Sequence, residues 1–285
     1  HNTLAQAKSG EIPATRIDQA VRNILIMKIR AGLFNRGLPS SLAAKYRDQI
    51  GHPDHRGIAR EAVRKSQVLL KNENQRLPLS PRGTYLVTGP GADNIGQQSG
   101  GWSVSWQGTG NSNSDFPGGT SILDGIERQV SAAGGRVVRD INADVDAAVV
   151  VFGETPYAEG QGDTYTVAWY DKRGERKLIN ALVGKGIPVV AVFLTGRPMW
   201  INDVLNQSDA FVVSWLPGTQ GEGIADVLLR DANDAVQFDF VGKLPMPWPA
   251  FDVNARDRDM PVDAFVFPIG YGLSVTQDTV WSTLS

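Results

Sequence analysis

The 285-residue sequence contains no cysteine. That removes disulfides and thiolate chemistry, and it leaves the redox compartment open. Histidine is scarce: His1, His52 and His55 all lie near the amino end. "HPDH" has no metal-ligand spacing, so no metal is expected. No Ser/His/Asp or Cys/His set for nucleophilic catalysis is visible. Charge is nearly balanced, with 28 basic against 30 acidic residues and a net charge of -2. That offers nothing to a nucleic acid or an anionic membrane. No apolar run approaches the roughly 20 residues of a membrane span, and the longest, "PVVAVFL", suits a buried strand. No signal peptide leads the chain. It starts at His1 and enters a helical pattern almost at once, so a fragment or processed form of a longer protein is expected.

What is present is the composition of a globular protein, 41% hydrophobic and 20% charged. The length suits one large α/β domain or two smaller ones. In "ATRIDQAVRNILIMKIRAGLF", Ile17, Ala20, Val21, Ile24 and Leu25 recur at i, i+3, i+4 spacing, which predicts an amphipathic helix stopped by Gly32. Residues 35–54, with Gly37, Pro39, Ser40, Ser41, Gly51 and Pro53, read as a linker. Asp54 is placed to cap a second helix over "HRGIAREAVRKSQVLLKN". Beyond it strands and helices alternate. "TYLVTG", "RVVRD", "DAAVVVFGE", "IPVVAVFLTG" and "DAFVVSWLPG" read as strands. "SILDGIERQVSAAGG", "KRGERKLINALVGKG", "MWINDVLNQS" and "GEGIADVLLRD" read as helices. Continuous Val/Ile/Phe runs between helices indicate strands buried on both faces, hence a mostly parallel sheet covered on each side.

In such sheets ligands sit beyond the carboxyl ends of the strands. Glu154, Tyr157, Glu159 and Asp163 follow "AVVVFG". Arg197 follows "VVAVFLTG", and "LPGTQGEG" follows "AFVVSW". Carboxylates near aromatics suit general acid/base work, because an apolar wall raises a carboxyl pKa toward neutrality. A loop carboxylate is nonetheless more often simply solvated. "GGWSVSWQG", residues 100–108, sets Trp102 and Trp106 four apart in a glycine-rich stretch. There a large aromatic is either core or a ring that stacks on a ligand. "TGPGADNIG" spaces its glycines wrongly for a dinucleotide loop, with Gly96 two positions late and no helix expected to open. "GTS", Gly119 to Ser121, reads as a helix cap rather than a nucleophile elbow. Lys71 and Asn72 are either functional or the finish of the second helix.

Eight collinear segments resemble glycoside hydrolase family 3, in its exo-acting β-glucosidase and β-glucan glucohydrolase branch. They are "GEIPATRIDQAVRNILIMKIRAGLF", "HRGIAREAVRKSQVLLKNENQRLPL", "GGWSVSWQG", "GETPYAEGQGD", "PVVAVFLTGRP", "DAFVVSWLPGTQGEGIADVLL", "GKLPMPWP" and "FPIGYGLS". The likeness covers nearly the whole chain. It implies the end of a (β/α)8-type barrel followed by an (α/β)6 sandwich, a six-stranded, mostly parallel sheet with helices on both faces. Residues 1–34 would be the last barrel helix and its exit, 35–54 a linker, 55–275 the sandwich and 276–285 a tail. A barrel is about 250 residues, so a piece of that order would be missing.

The resemblance further implies retaining hydrolysis of non-reducing-end β-D-glucosyl residues from β-glucans and β-glucosides, with no cofactor. An Asp of the barrel would be the nucleophile. Glu159 matches the acid/base in a motif like "GE-PY-E-GD", with Glu154, Tyr157 and Asp163 as possible supporting residues. Trp106 would form one side of a clamp on the +1 sugar, with Trp102 beneath or beside it. The implied partners are a β-glucan oligosaccharide and the barrel of the same enzyme, with neither nucleic acid nor membrane. A periplasmic or secreted location is favoured. Two departures stand out: where the family often has Glu after "LPGS" this chain has "LPGTQ", with Gln220, and "TYTVAWYDKRGER" after Asp163 is less typical, which bears on loop shape and substrate preference. The alternative from another class is a non-catalytic carbohydrate-binding module, which would keep the tryptophans and have no need of Glu159. A nucleotide-binding doubly wound domain is a third reading, and the glycine spacing argues against it.

Overall fold

The structure is a computed structural model that describes residues 2–253, 264–279, 283 and 284. The chain divides into two compact units, His1–His52 and Pro53–Ser285. The first unit holds α1 (Asn2–Ser9), α2 (Ala14–Arg30) and α3 (Pro39–Tyr46). Gly32 takes φ 68° just past α2, the left-handed position that the sequence marks as its end. None of the residues in these helices is buried. Val21, Ile24, Leu25, Met27 and Ile29 of α2 are all exposed. Residues 35–54, expected as a linker, contain α3 and a 3-10 turn, Arg47–Gln49. Pro39 sits at the start of α3, where its missing N–H is not needed.

The second unit begins with α4 (Pro53–Ser66), followed by β1 (Val68–Asn72), β2 (Thr84–Thr88), α5 (Ile95–Ser99), α6 (Ile122–Ala132) and β3 (Arg136–Val138). Then come β4 (Ala147–Gly153), α7 (Glu175–Gly184), β5 (Val189–Leu194), α8 (Asn202–Gln207), β6 (Ala210–Trp215) and α9 (Glu222–Leu228). A small antiparallel pair, β7 (Trp248–Pro249) and β8 (Phe265–Phe267), lies near the end. The main sheet has six strands in the order β1-β6-β5-β4-β2-β3. Every neighbour pair is parallel except the edge strand β1, which runs antiparallel to β6.

Strand alternation explains how both faces are filled. Val149 and Val151 of β4 and Val190 and Val192 of β5 join one core with Ile122, Ile126 and Val130 of α6 and Ile224 and Val227 of α9. Their neighbours Val150, Phe152, Ala191 and Phe193 join the other, with Ile179 and Leu182 of α7 and Val204 and Leu205 of α8. Successive side chains of a strand point to opposite faces, so a strand buried on both sides must be apolar throughout. The second core is aromatic: Phe193 lies 5.3 Å from Phe152, 6.0 Å from Phe211 and Trp169, and 6.4 Å from Trp248, ring centre to ring centre.

The second helix ends earlier than its sequence pattern implies. It stops at Ser66, and "VLLKN" is the strand β1. Val68 and Leu70 enter one core and Leu69 the other, a division that only an extended backbone allows. Lys71 and Asn72 then prove structural. The wholly buried Lys71 donates Nζ to the carbonyls of Leu205 (3.1 Å) and Asn206 (3.2 Å) at the end of α8. It also pairs with Glu73 at 3.2 Å, while burial pulls its pKa down. Asn72 Oδ1 accepts the Leu77 N–H at 2.8 Å.

Ser121 caps α6, as its sequence suggests, with a full capping box: its Oγ accepts the Asp124 N–H while Asp124 accepts the Ser121 N–H. Contrary to expectation, a short helix, α5, does open after "TGPGAD". It is capped by Asn94, whose Oδ1 accepts the Gln97 N–H at 2.9 Å. Gly89 and Gly91 in that stretch are packing positions, since a Cβ on either would run into Val151 of β4.

Candidate active site

The loops beyond α5, β4 and β5 meet on one rim. The loop after α5 is folded tightly on itself. Gly100 and Gly108 both take left-handed backbone, at φ 77° and 72°, and a Cβ on Gly108 would collide with the Gly100 carbonyl oxygen. Gly101 presses equally close to the carbonyl of Tyr157, so this loop and the one after β4 are in backbone contact. The Trp102 N–H donates to the Trp106 carbonyl at 2.9 Å. Trp102 and Val104 are left-handed at φ 60° and 62°. Such strain, about 1–3 kcal/mol per residue, persists where the surrounding structure over-determines it and clusters at functional sites.

This fold brings both tryptophans onto Glu159. Trp106 Nε1 donates to Glu159 Oε2 at 2.7 Å, and Trp102 Nε1 donates to the same oxygen at 3.2 Å. The indoles stand 6.4 Å apart at 50° to one another. They remain 70% and 56% exposed, for Trp102 and Trp106 respectively, so their faces are open to a ligand although their N–H groups are engaged. Gln107 adds a clasp. Its Nε2 donates to the Glu159 carbonyl at 2.9 Å, and its Oε1 accepts the Ala158 N–H at 2.7 Å. The Glu159 carboxyl therefore sits below its ordinary pKa, chiefly because of the Trp106 hydrogen bond. In this chain it is a carboxylate at neutral pH.

Glu154 has a different environment. Its Oε2 accepts from Thr195 Oγ1 (2.7 Å), the Gly196 N–H (3.1 Å) and the Tyr157 hydroxyl (3.1 Å). Its Oε1 faces Arg197 Nε at 3.2 Å. Three hydrogen-bond donors and one ion pair commit this carboxylate to holding the loop. Arg197 also donates Nε to the Tyr157 oxygen (2.9 Å) and Nη1 to the Gly162 carbonyl (3.0 Å), with its guanidinium 4.2 Å from the centre of the Tyr157 ring. Burial, with Glu154 beside it, pushes the Tyr157 phenol up to about 12, so it stays protonated as a donor.

Glu159, Trp102 and Trp106 thus form one cluster, and Glu154 and Tyr157 an adjoining one. Asp163 lies at the rim, exposed, where its backbone N–H donates to the Gly160 carbonyl. A cavity of about 490 Å³ beside Glu159 is lined by Trp102, Tyr157, Asp163 and Arg197 among others. Gln107 and Thr195 escape sequence reasoning, since nothing in their types marks them. Arg197 is noticeable by its place after a strand, but its partners are not. Gln220 is buried and pairs its backbone with Thr120. The nearby Glu222 carries an ion-pair network with Arg60 and Arg128 instead. Among the described residues no group of three or more His, Asp or Glu could hold a metal, and no helix is long and apolar enough to cross a membrane.

Comparison with known proteins points the same way. Residues 67–275 match the glycosyl hydrolase family 3 C-terminal domain. A lysosomal β-glucosidase of Dictyostelium discoideum is 33% identical over 94% of this chain and 35% of its own length. A periplasmic β-glucosidase of Salmonella typhimurium is 28% identical over 96% of this chain and 42% of its own. Among solved structures, an exo-1,3/1,4-β-glucanase from a Pseudoalteromonas species superposes with a TM-score of 0.92 at 46% identity, over 100% of this chain and 36% of that one. The chain therefore spans about a third to two fifths of the length of these relatives.

Proposed function

The chain belongs to glycosyl hydrolase family 3, and on that premise we propose that it is the acid/base half of a retaining β-glucosidase acting on β-glucans and β-glucosides. The observation that carries this is the pair of indole N–H groups aimed at one exposed carboxylate, Glu159. A module that only stacks sugars on Trp102 and Trp106 has no use for that arrangement. An acid/base does, because the same two rings that hold the carboxylate also offer their faces to the sugar whose oxygen it protonates.

The chemistry follows in two steps. Glu159 gives its proton to the glycosidic oxygen as that bond to the anomeric carbon breaks, while a carboxylate on the opposite face attacks the carbon. Glu159, now a carboxylate, then takes a proton from the water that displaces the enzyme, and the configuration is retained. In this role Glu159 must start protonated, against the pull of the indoles. A second carboxylate about 5–5.5 Å away and exclusion of water both raise a carboxyl pKa, so the complete site supplies what this chain by itself does not. The nucleophile is assigned to an Asp of a preceding barrel, with α2, the second helix within residues 1–34, as the last helix of that barrel. The exposed apolar residues of α2 support this, since such a stripe normally packs against a neighbour. The 285-residue chain alone should give no enzymatic turnover of an aryl β-glucoside, whereas the complete enzyme should. Turnover by the chain alone at a normal enzymatic rate would overturn the division of the site.

A further inference from the structure

The segment after Asp163 helps to line a second cavity, together with the residues that follow β4 and β5. It has a volume of about 530 Å³, within the usual size of a ligand site. Trp169 forms part of its lining, buried against Phe152 with ring centres 5.1 Å apart. Tyr170, 61% exposed, and the exposed Lys172 also line it. Four residues, Tyr157, Gly162, Asp163 and Arg197, line both this cavity and the one beside Glu159. That shared wall is firm. Arg197 ties Gly162 to Tyr157, and the Tyr157 ring lies so close to Gly162 that a Cβ there would collide with it.

The charges in the cavity indicate what it accepts. Arg197 is paired with Glu154 and Arg173 with Glu175. Asp171, which is not part of the lining, accepts the N–H groups of Gly174, Glu175 and Arg176, fixing the start of α7. What stays uncommitted among the described residues is one cation, Lys172, one anion, Asp163, and the exposed ring of Tyr170. A charged ligand would find its attraction cancelled. A neutral polyhydroxyl ligand finds a donor, an acceptor and a ring on which an apolar sugar face can rest. We propose that this cavity is a subsite for the distal sugar units of a β-glucan chain, those beyond the unit whose glycosidic oxygen Glu159 protonates. The inference rests on the acid/base reading of Glu159. In that reading the leaving group departs on the side of Glu159, and the second cavity shares a wall with the cavity there.

The test uses the complete enzyme with Tyr170→Ala and Lys172→Ala, both on exposed side chains. Values of kcat/KM are measured on an aryl β-glucoside, a β-glucan disaccharide, a trisaccharide and a tetrasaccharide. Tyr170→Ala should lower kcat/KM on the trisaccharide and tetrasaccharide by about threefold to tenfold, the usual range for a lost ring contact. The aryl glucoside and the disaccharide should be unaffected, and Lys172→Ala should act in the same sense. Equal loss on all four substrates, or no loss on the longer two, overturns the subsite while leaving the glucosidase reading intact. If the unaltered enzyme turns over none of the glucosides, the underlying reading fails, and the subsite with it.

Discussion

Gln107 makes two hydrogen bonds to the backbone that carries Glu159, at 2.7 and 2.9 Å, and Gln107→Ala removes both while leaving the carboxyl and its indole partners in place. Each net bond is worth about 0.5–1.5 kcal/mol, so the loop is expected to lose about 1–3 kcal/mol of restraint. If Glu159 must be held at that position to protonate the leaving oxygen, the loss appears as a drop of about 5- to 150-fold in the step that needs the acid. The assay compares two aryl β-glucosides on the complete enzyme, one with a leaving group stable as an anion and one with a poor leaving group. The first needs little protonation and should be nearly unaffected in kcat, while the second should fall. Gln107→Glu keeps the acceptor for the Ala158 N–H and sets a carboxylate oxygen against the Glu159 carbonyl, so it should not restore the rate. Equal loss on both substrates, or no loss on the poor one, would refute the argument that the clasp acts through Glu159.

Trp106→Phe removes the stronger indole bond, so the Glu159 carboxyl, titrated by carbon NMR in the 285-residue chain, should move from below its ordinary pKa back up toward it. Because the folded pKa is the lower one, the stabilisation it brings is present above the unfolded pKa and fades as pH falls through the folded value; an unchanged midpoint would contradict the assignment. Gly101→Ala puts a Cβ into the Tyr157 carbonyl with backbone on both sides, so overpacking should cost about 1–3 kcal/mol and disturb the Glu159 loop. Thermal melts and activity together would show it, and a variant unchanged in both would count against the close approach. Phe193→Ala empties the centre of the aromatic core and should lower stability by about 3–5 kcal/mol in denaturant unfolding; a loss below about 1 kcal/mol would mean that core is loosely packed.

The parallel strands were legible because burial on both faces demands unbroken apolar runs, and β4, β5 and β6 have them. The edge strand β1 was not. Its Val68, Leu69 and Leu70 continue the apolar positions of α4 with no glycine or proline between, and only tertiary pairing with β6 decides the backbone. Helix α3 was hidden by the Pro39-Ser40-Ser41 run, which reads as loop by composition and serves as a helix start. In the site, the strand-end rule and the family resemblance together pointed to Glu159, Glu154 and the tryptophans. The contact between Trp106 and Glu159, 53 positions apart, is a product of two loops folding together and has no local signature. The reversal of the expected pKa shift at Glu159 was equally invisible. An aromatic neighbour raises a carboxyl pKa by burying it, whereas these indoles meet it with their N–H edges and lower it.

The most direct test of the acid/base assignment is Glu159→Ala in the complete enzyme with azide added. The rate on a poor leaving group should fall by about 10²- to 10⁴-fold, the range that general acid catalysis supplies. On a good leaving group azide should restore much of the rate and yield a β-glucosyl azide, because the small anion takes the place of the missing base. Uniform loss on both leaving groups with no azide product would contradict the account and would shift attention to Glu154.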